Sequence, residues 1–138
     1  MANWSIIKNP ECGNTVRSQL HRNFGKLYAA QGKYDDALRQ LANDVYYNSL
    51  EFGPEHVDTS AGYYHMANIF YQQNRVEHAL AFYDKVVDVW YKFLASIRSN
   101  ADEIEVLGEA QLAEALEMLR EVRAVLHPNL FNFCLQCV

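Results

Sequence analysis

Two stretches of this chain carry one pattern, 42 residues apart. Residues 24–38 line up with residues 66–80, so that Gly25 falls on Ala67, Tyr28 on Phe70, Gly32 on Asn74, Ala37 on Ala79 and Leu38 on Leu80. A small residue, an aromatic three positions later, a turn, then Ala-Leu is a packing pattern. The small residue lets two helices approach, and the aromatic fills the space beside it. Units of this kind cannot bury their apolar faces alone; they stack into helical solenoids, which usually hold other proteins. The repeat predicts a scaffold rather than a catalyst.

Composition narrows the function classes. With 138 residues, 50% hydrophobic and 21% charged, the chain can bury a core and is not a disordered polymer. A formal net charge of -5 argues against a broad phosphate-binding surface and against an anionic membrane, so neither nucleic acid nor membrane is an expected partner. No apolar run approaches the roughly 20 residues that span a bilayer. The stretch Met1–Lys8 lacks the charge and apolar pattern of a secretion signal. Three cysteines cannot build a disulfide framework, which points to a reducing, cytoplasmic setting.

Helical spacing dominates, and period-two alternation is never sustained. Asn14 or Thr15 is expected to cap a first helix with Val16, Leu20, Phe24, Leu27 and Tyr28 on its apolar face, closed by Gly32. A second helix is expected from Tyr34 to Gly53-Pro54, with Ala37, Leu38, Leu41, Val45 and Leu50 inside. Asp58 or Thr59 is expected to cap a third, which shows Tyr63, Met66, Ala67, Phe70 and Tyr71; the turn Gln73-Asn74-Arg75 mirrors the first turn. The fourth carries two apolar stripes. One is Val76, Leu80, Tyr83, Val87, Trp90, Leu94 and Ile97, and the other is Ala79, Phe82, Val86, Val89 and Phe93. Such a wide arc predicts packing on two sides. After the break at Ser99-Asn100-Ala101-Asp102, a fifth helix is expected with Leu112, Ala115, Leu116, Leu119, Val122 and Leu126 inside and glutamates outside. The apolar tail 130–138 is expected either to dock or to be a truncation scar.

The expected organisation is therefore 1–13 as the end of a preceding helix and linker, 14–99 as two helix pairs, and 100–138 as a C-terminal capping helix and tail. Stepping the period back places residues 2–8, with Trp4, Ile6 and Ile7, as the last turns of a preceding helix stopped at Asn9-Pro10. That reading makes the chain a segment of a longer solenoid.

The repeat resembles the tetratricopeptide repeat. Its small, aromatic, small and large apolar positions are met by Gly25, Tyr28, Ala37 and Leu41, and again by Ala67, Phe70, Ala79 and Tyr83. The long unit, with Gly53-Pro54-Glu55-His56 between repeats, looks like the kinesin-light-chain type. One departure is Asp44, where the pattern wants a small residue. An acid there must be solvated or hydrogen-bonded, with His21, Tyr63 and His65 as the candidate partners. The strings Leu20-His21-Arg22-Asn23-Phe24-Gly25, Leu41-Ala42-Asn43-Asp44-Val45-Tyr46, Ala67-Asn68-Ile69-Phe70-Tyr71 and Asn3-Trp4-Ser5-Ile6-Ile7-Lys8 are also similar to a family that joins a zinc-finger MYND domain to tetratricopeptide repeats. That resemblance implies motile cilia or flagella, inner dynein arms and another repeat protein as partners. It extends to the repeat region alone, since three cysteines cannot supply the ligands of a MYND finger.

Little in the chain points to chemistry. Cys134-Leu135-Gln136-Cys137 has the spacing of half a zinc site, yet only Cys12 and His127 could complete it, so apolar packing is the expected role. His21, His56, His65, His78 and His127 form no metal or catalytic motif, and His21 and His65 are expected to be structural. The acids Asp102, Glu103, Glu105, Glu109 and Glu114 lack the order of a calcium loop and read as solvated helix charge. No catalytic residue, metal or cofactor is expected.

The remaining site is a groove. In tetratricopeptide repeats the first helix of each pair lines the concave face, which the resemblance puts at Gln19, Arg22, Lys26 and Ala29 and at Tyr64, Asn68, Tyr71 and Gln72. Arg22 and Lys26 could receive ligand carboxylates, Asn68 could bond a peptide backbone in both directions, and the tyrosines offer flat contact area. The full carboxylate clamp of chaperone-binding repeats is not met, because Ala29 and Ala61 stand where polar groups would help. The sequence thus predicts an all-α tetratricopeptide-like solenoid segment with a C-terminal cap, acting as a non-catalytic protein-interaction scaffold, with an axonemal setting preferred. A cargo or peptide adaptor of the kinesin-light-chain kind, the repeat region of a MYND-containing methyltransferase, and self-association through exposed solenoid ends are the alternatives.

Overall fold

The computed structural model describes residues 12–99 and 113–125, and every described element is helical. These are α1 (Asn14–Ala30), α2 (Tyr34–Phe52), α3 (Val57–Gln72), α4 (Val76–Ser99) and α5 (residues 113–125). Contacts divide the chain into two compact units, Met1–Phe93 and Leu94–Val138. The expected helix at residues 2–8, Leu112, Leu126, the acids at 102–109 and the Cys134/Cys137 tail lie outside the described residues.

In the first unit α1 and α2 form an antiparallel pair, α2 packs on α3, and α1 touches α3 only briefly. Ring contacts between Tyr63 and Phe82, Tyr64 and Tyr83, and Phe70 and Phe82 hold α4 on α3. Glycines at the helix crossings set the spacing. A Cβ on Gly25 would lie 2.7 Å from Leu41 Cγ, and one on Gly62 would lie 2.6 Å from Val45 Cγ2. Gly25 thus lets α1 meet α2, and Gly62 lets α2 meet α3. Among the packing positions, Gly25, Ala37, Leu41, Ala67, Phe70, Ala79 and Tyr83 are buried, and Tyr28 is half-buried.

The two repeat turns are built alike. Lys33 N donates to Tyr28 O and Gly32 N to Ala29 O; 42 residues on, Arg75 N donates to Phe70 O and Asn74 N to Tyr71 O. This is the two-bond closure that ends a helix at a left-handed residue. Gly32 and Asn74 occupy that place with φ of 75° and 60°, and they are the residue types that tolerate it. In each turn a cation covers the aromatic that opened it, Lys33 over Tyr28 and Arg75 over Phe70.

Helix starts differ from the sequence expectation. Gly13 is the N-cap of α1 and gives no side-chain cap, while Asn14 Nδ2 donates to Glu51. At α3 the cap is His56, whose Nδ1 accepts from Asp58 N, and Thr59 Oγ1 instead donates to Gly53 O. Both histidine and threonine spend their hydrogen bonds tying the inter-repeat loop to the helix it starts. Glu55 in the same loop bonds Lys85 and Lys92 of α4, which holds its carboxyl below the usual range.

Several residues expected inside are exposed: Val16 and Leu27 on α1, Leu50 on α2, Tyr71 on α3, Val76, Val87 and Leu94 on α4, and Leu116 on α5. The repeat explains α1. Leu27 and Ile69 share a repeat position, yet Leu27 is 51% exposed and Ile69 only 3%, because α2 covers that face of α3. Among the described residues no helix precedes α1, so the same face there lies open. What α1 turns to α2 is Ser18, His21, Arg22 and Gly25, a largely polar stripe. In the second unit α5 buries Ala115 and Val122 as expected, with Met118 between them on the same helical face, while Leu116 of the expected stripe is exposed.

Candidate functional site, the groove between α1 and α3

Arg22 is the largest departure from the expected groove. It is 5% exposed, and its guanidinium meets the Asp44 carboxylate twice, Nε to Oδ2 at 2.8 Å and one terminal nitrogen to Oδ1 at 3.1 Å. Asp44 also accepts from Ser18 Oγ at 2.6 Å and from Asn48 Nδ2 at 3.2 Å. Arg22 and Asn48 both donate onward to the carbonyl of Asp58, in the first turn of α3. The acid that broke the repeat pattern is therefore satisfied by Ser18, Arg22 and Asn48, not by the expected His21, Tyr63 or His65. His21 pairs with Gln40, Tyr63 donates to Pro54 O, and His65 lies elsewhere. A bidentate arginine with supporting donors is the geometry a buried carboxylate needs. Arg22 is consumed by the fold and takes no ligand.

Tyr64, another expected groove residue, is also buried, its ring against Tyr83. Gln19 and Tyr71 are exposed but do not line the cavity described next. Lys26, Ala29, Asn68 and Gln72 do line it.

That cavity, about 260 Å³, opens between α1 and α3 with Leu41 of α2 at its base. Gly25, Leu41 and Ile69 supply an apolar floor, and Lys26, His65, Asn68 and Gln72 supply the polar rim. The volume suits one or two inserted side chains rather than a large cofactor. Its electrostatics are one-sided: no acid lines it, and Lys26 has no salt-bridge partner among the described residues. His65 adds no charge, because burial, then Lys26 and Arg22, push it down to about 3. Asn68 is held from below, its Oδ1 accepting from the Tyr83 hydroxyl at 2.5 Å. Burial, then the nearby Tyr71, push Tyr83 up to about 12, so that hydroxyl keeps its proton.

Sequence reasoning missed His65 as a groove residue, reading it as structural. The signal was present in its spacing, since His65, Asn68 and Gln72 follow steps of three and four along one helix face. Chemically, the arrangement offers donors and an apolar floor. Among the described residues no three metal-ligating side chains converge, and no helix is long and apolar enough to cross a membrane. A family model for the tetratricopeptide repeat matches residues 16–92, which covers most of both helix pairs and every residue of this groove. The chain belongs to the tetratricopeptide repeat family.

Proposed function

We propose that this chain is a non-catalytic interaction scaffold that takes a segment of another protein into the groove between α1 and α3. The observation that carries the reading is Lys26, without a salt-bridge partner among the described residues, beside the Asn68 amide over an apolar floor, in a cavity whose described lining holds no acid, in a chain of net charge -5. A protein whose acids outnumber its bases leaves a cation unpaired at a cost in self-attraction, and a ligand restores the pairing. Membership of a family whose repeats bind proteins supports the same reading. For the setting we propose the axoneme of a cilium or flagellum, with inner dynein arm components or another repeat protein as partner. The support is the similarity of Leu20–Gly25, Leu41–Tyr46 and Ala67–Tyr71 to the ciliary MYND-domain family.

Affinity capture from ciliated cells, comparing wild type with Lys26→Glu, tests both parts. Lys26 is exposed, so its reversal leaves the melting temperature within a degree or two while removing the captured partner. Axonemal proteins captured by wild type and lost from the variant are the expected result. Capture that ignores the variant moves binding off the groove. Recovery of motor cargo, of a methyltransferase assembly, or of further copies of this chain alone replaces the axonemal setting with that alternative.

A further inference from the structure

Val16 and Leu20 of α1 stand where Asp58 and Gly62 stand on α3. On α3 both positions are covered by α2. Val45 and Asp44 press on Gly62, where an added Cβ would lie 2.6 Å from Val45 Cγ2, and Asn48 Nδ2 donates to the Asp58 carbonyl at 3.3 Å. On α1 the same face is open, with Val16 51% exposed. Stepping those α2 residues back by one period gives Asn3 for Val45, Ala2 for Asp44 and Ile6 for Asn48. The chemistry then changes on both sides of each contact together. Where α3 sets glycine against valine and an acid, α1 sets leucine against asparagine and alanine, so the bulk moves across the contact and no carboxylate is left to satisfy. Where an amide bonds a backbone carbonyl, isoleucine pairs with valine. Trp4 and Lys8 fall on Tyr46 and Leu50, which are 58% and 57% exposed. Residues 9–13, with Pro10 and Gly13, supply a connection like the one Gly53 and Pro54 supply before α3.

We infer that residues 2–8 occupy the open face of α1, seated over Val16 and Leu20 in the register that α2 takes on α3, with Ile6 inward and Trp4 outward. Chain continuity favours this occupant, because the segment ends beside the helix it covers. A second copy would present α4 in that register. Its counterparts of Leu41 and Asn48 are Tyr83 and Trp90, only 1% and 5% exposed, so that surface is already taken. The segment reaches Leu20 and not Leu27, since the α2 residues packed with Ile69 have no counterpart among residues 2–8. A partner helix that stacks on the first two turns of α1 has to displace it.

The test uses the whole chain with Cys12, Cys134 and Cys137 changed to serine. Asn3→Cys with Leu20→Cys places two thiols where Val45 and Gly62 approach closely enough for a disulfide. Mild oxidation is expected to link them within one chain about tenfold faster than it links the outward control, Trp4→Cys with Leu20→Cys. A loose tail would link both pairs at one rate, so equal rates overturn the register. Links between chains, with a dimer in sedimentation, give the face to a second copy and overturn the proposal. Ile6→Asp, made in the otherwise unaltered chain, is expected to speed hydrogen exchange of the Val16–Leu20 amides about tenfold, whereas Trp4→Asp leaves it within about twofold. Exchange that ignores Ile6→Asp also overturns the proposal. None of these outcomes bears on the groove, which is tested separately by Lys26-dependent capture.

Discussion

At the scale of single residues, environment decides what each polar group does. Arg22 and Lys26 are one helical turn apart and carry the same charge, yet Arg22 is sealed against Asp44 and Lys26 faces the groove. Their spacing is legible in the sequence; their separate fates are not, because a partner 22 residues away decides them. His65 makes the point with a pH dependence. Folded, burial and the cations Lys26 and Arg22 push it to about 3 from an ordinary 6.5. Between those values the unfolded chain binds a proton that the folded chain does not. Stability therefore falls as pH drops from about 6.5 toward 3, by up to about 1.4 kcal/mol per pH unit from this group. His65→Asn, which installs the residue found at the equivalent Asn23, is expected to flatten that slope in denaturant titrations at pH 7 and pH 5. A slope unchanged by the substitution would mean that His65 is solvated in the folded chain.

At the scale of elements, helices and turns were readable because their causes are local. The turns at Gly32 and Asn74 follow from residues that accept positive φ, and the helices follow from apolar spacing. The inward faces were readable only in part. On α2 the core positions Ala37 and Leu41 were anticipated, whereas Asp44 and Asn48 complete the buried stripe in place of Leu50. Apolar spacing identifies stripes but not the neighbour each one meets. Helix approach, by contrast, rests on a single residue. At Gly62 an added methyl would press on Val45 Cγ2 and Asp44 Oδ2, at 2.6 and 3.0 Å. Gly62→Ala gains about 1 kcal/mol of helix propensity and loses about 1–3 kcal/mol to overpacking, so a net destabilisation of about 1 kcal/mol is expected. Chemical denaturation measures it, and a stabilised variant would show that α2 and α3 have room to separate.

At the scale of the whole molecule, the Asp44 network joins what the repeats alone leave as neighbours. It binds α1 to α2 through Arg22 and Ser18, and it reaches α3 of the next repeat through the Asp58 carbonyl. In a stack of repeats, stability is close to a sum of unit and interface terms, so a network spanning an interface controls how the units unfold together. Asp44→Ala leaves the Arg22 guanidinium buried without its counter-charge, and about 3–5 kcal/mol of stability is expected to be lost. Arg22→Met combined with Asp44→Leu is expected to recover most of that loss, since it removes both charges. If the double variant is no more stable than Asp44→Ala in denaturant titration, the network acts by more than charge compensation.

The repeat, its 42-residue period, the helices and the turns between them can be read from the chain alone, because hydrogen bonds and side-chain periodicity within a few residues dictate these. Which polar residues belong to the fold and which to the groove emerges with helix packing. Asp44 with Arg22, and Asn68 with Tyr83, meet across helices. Burial, which sets the strength and the direction of such bonds, exists only once the helices are packed.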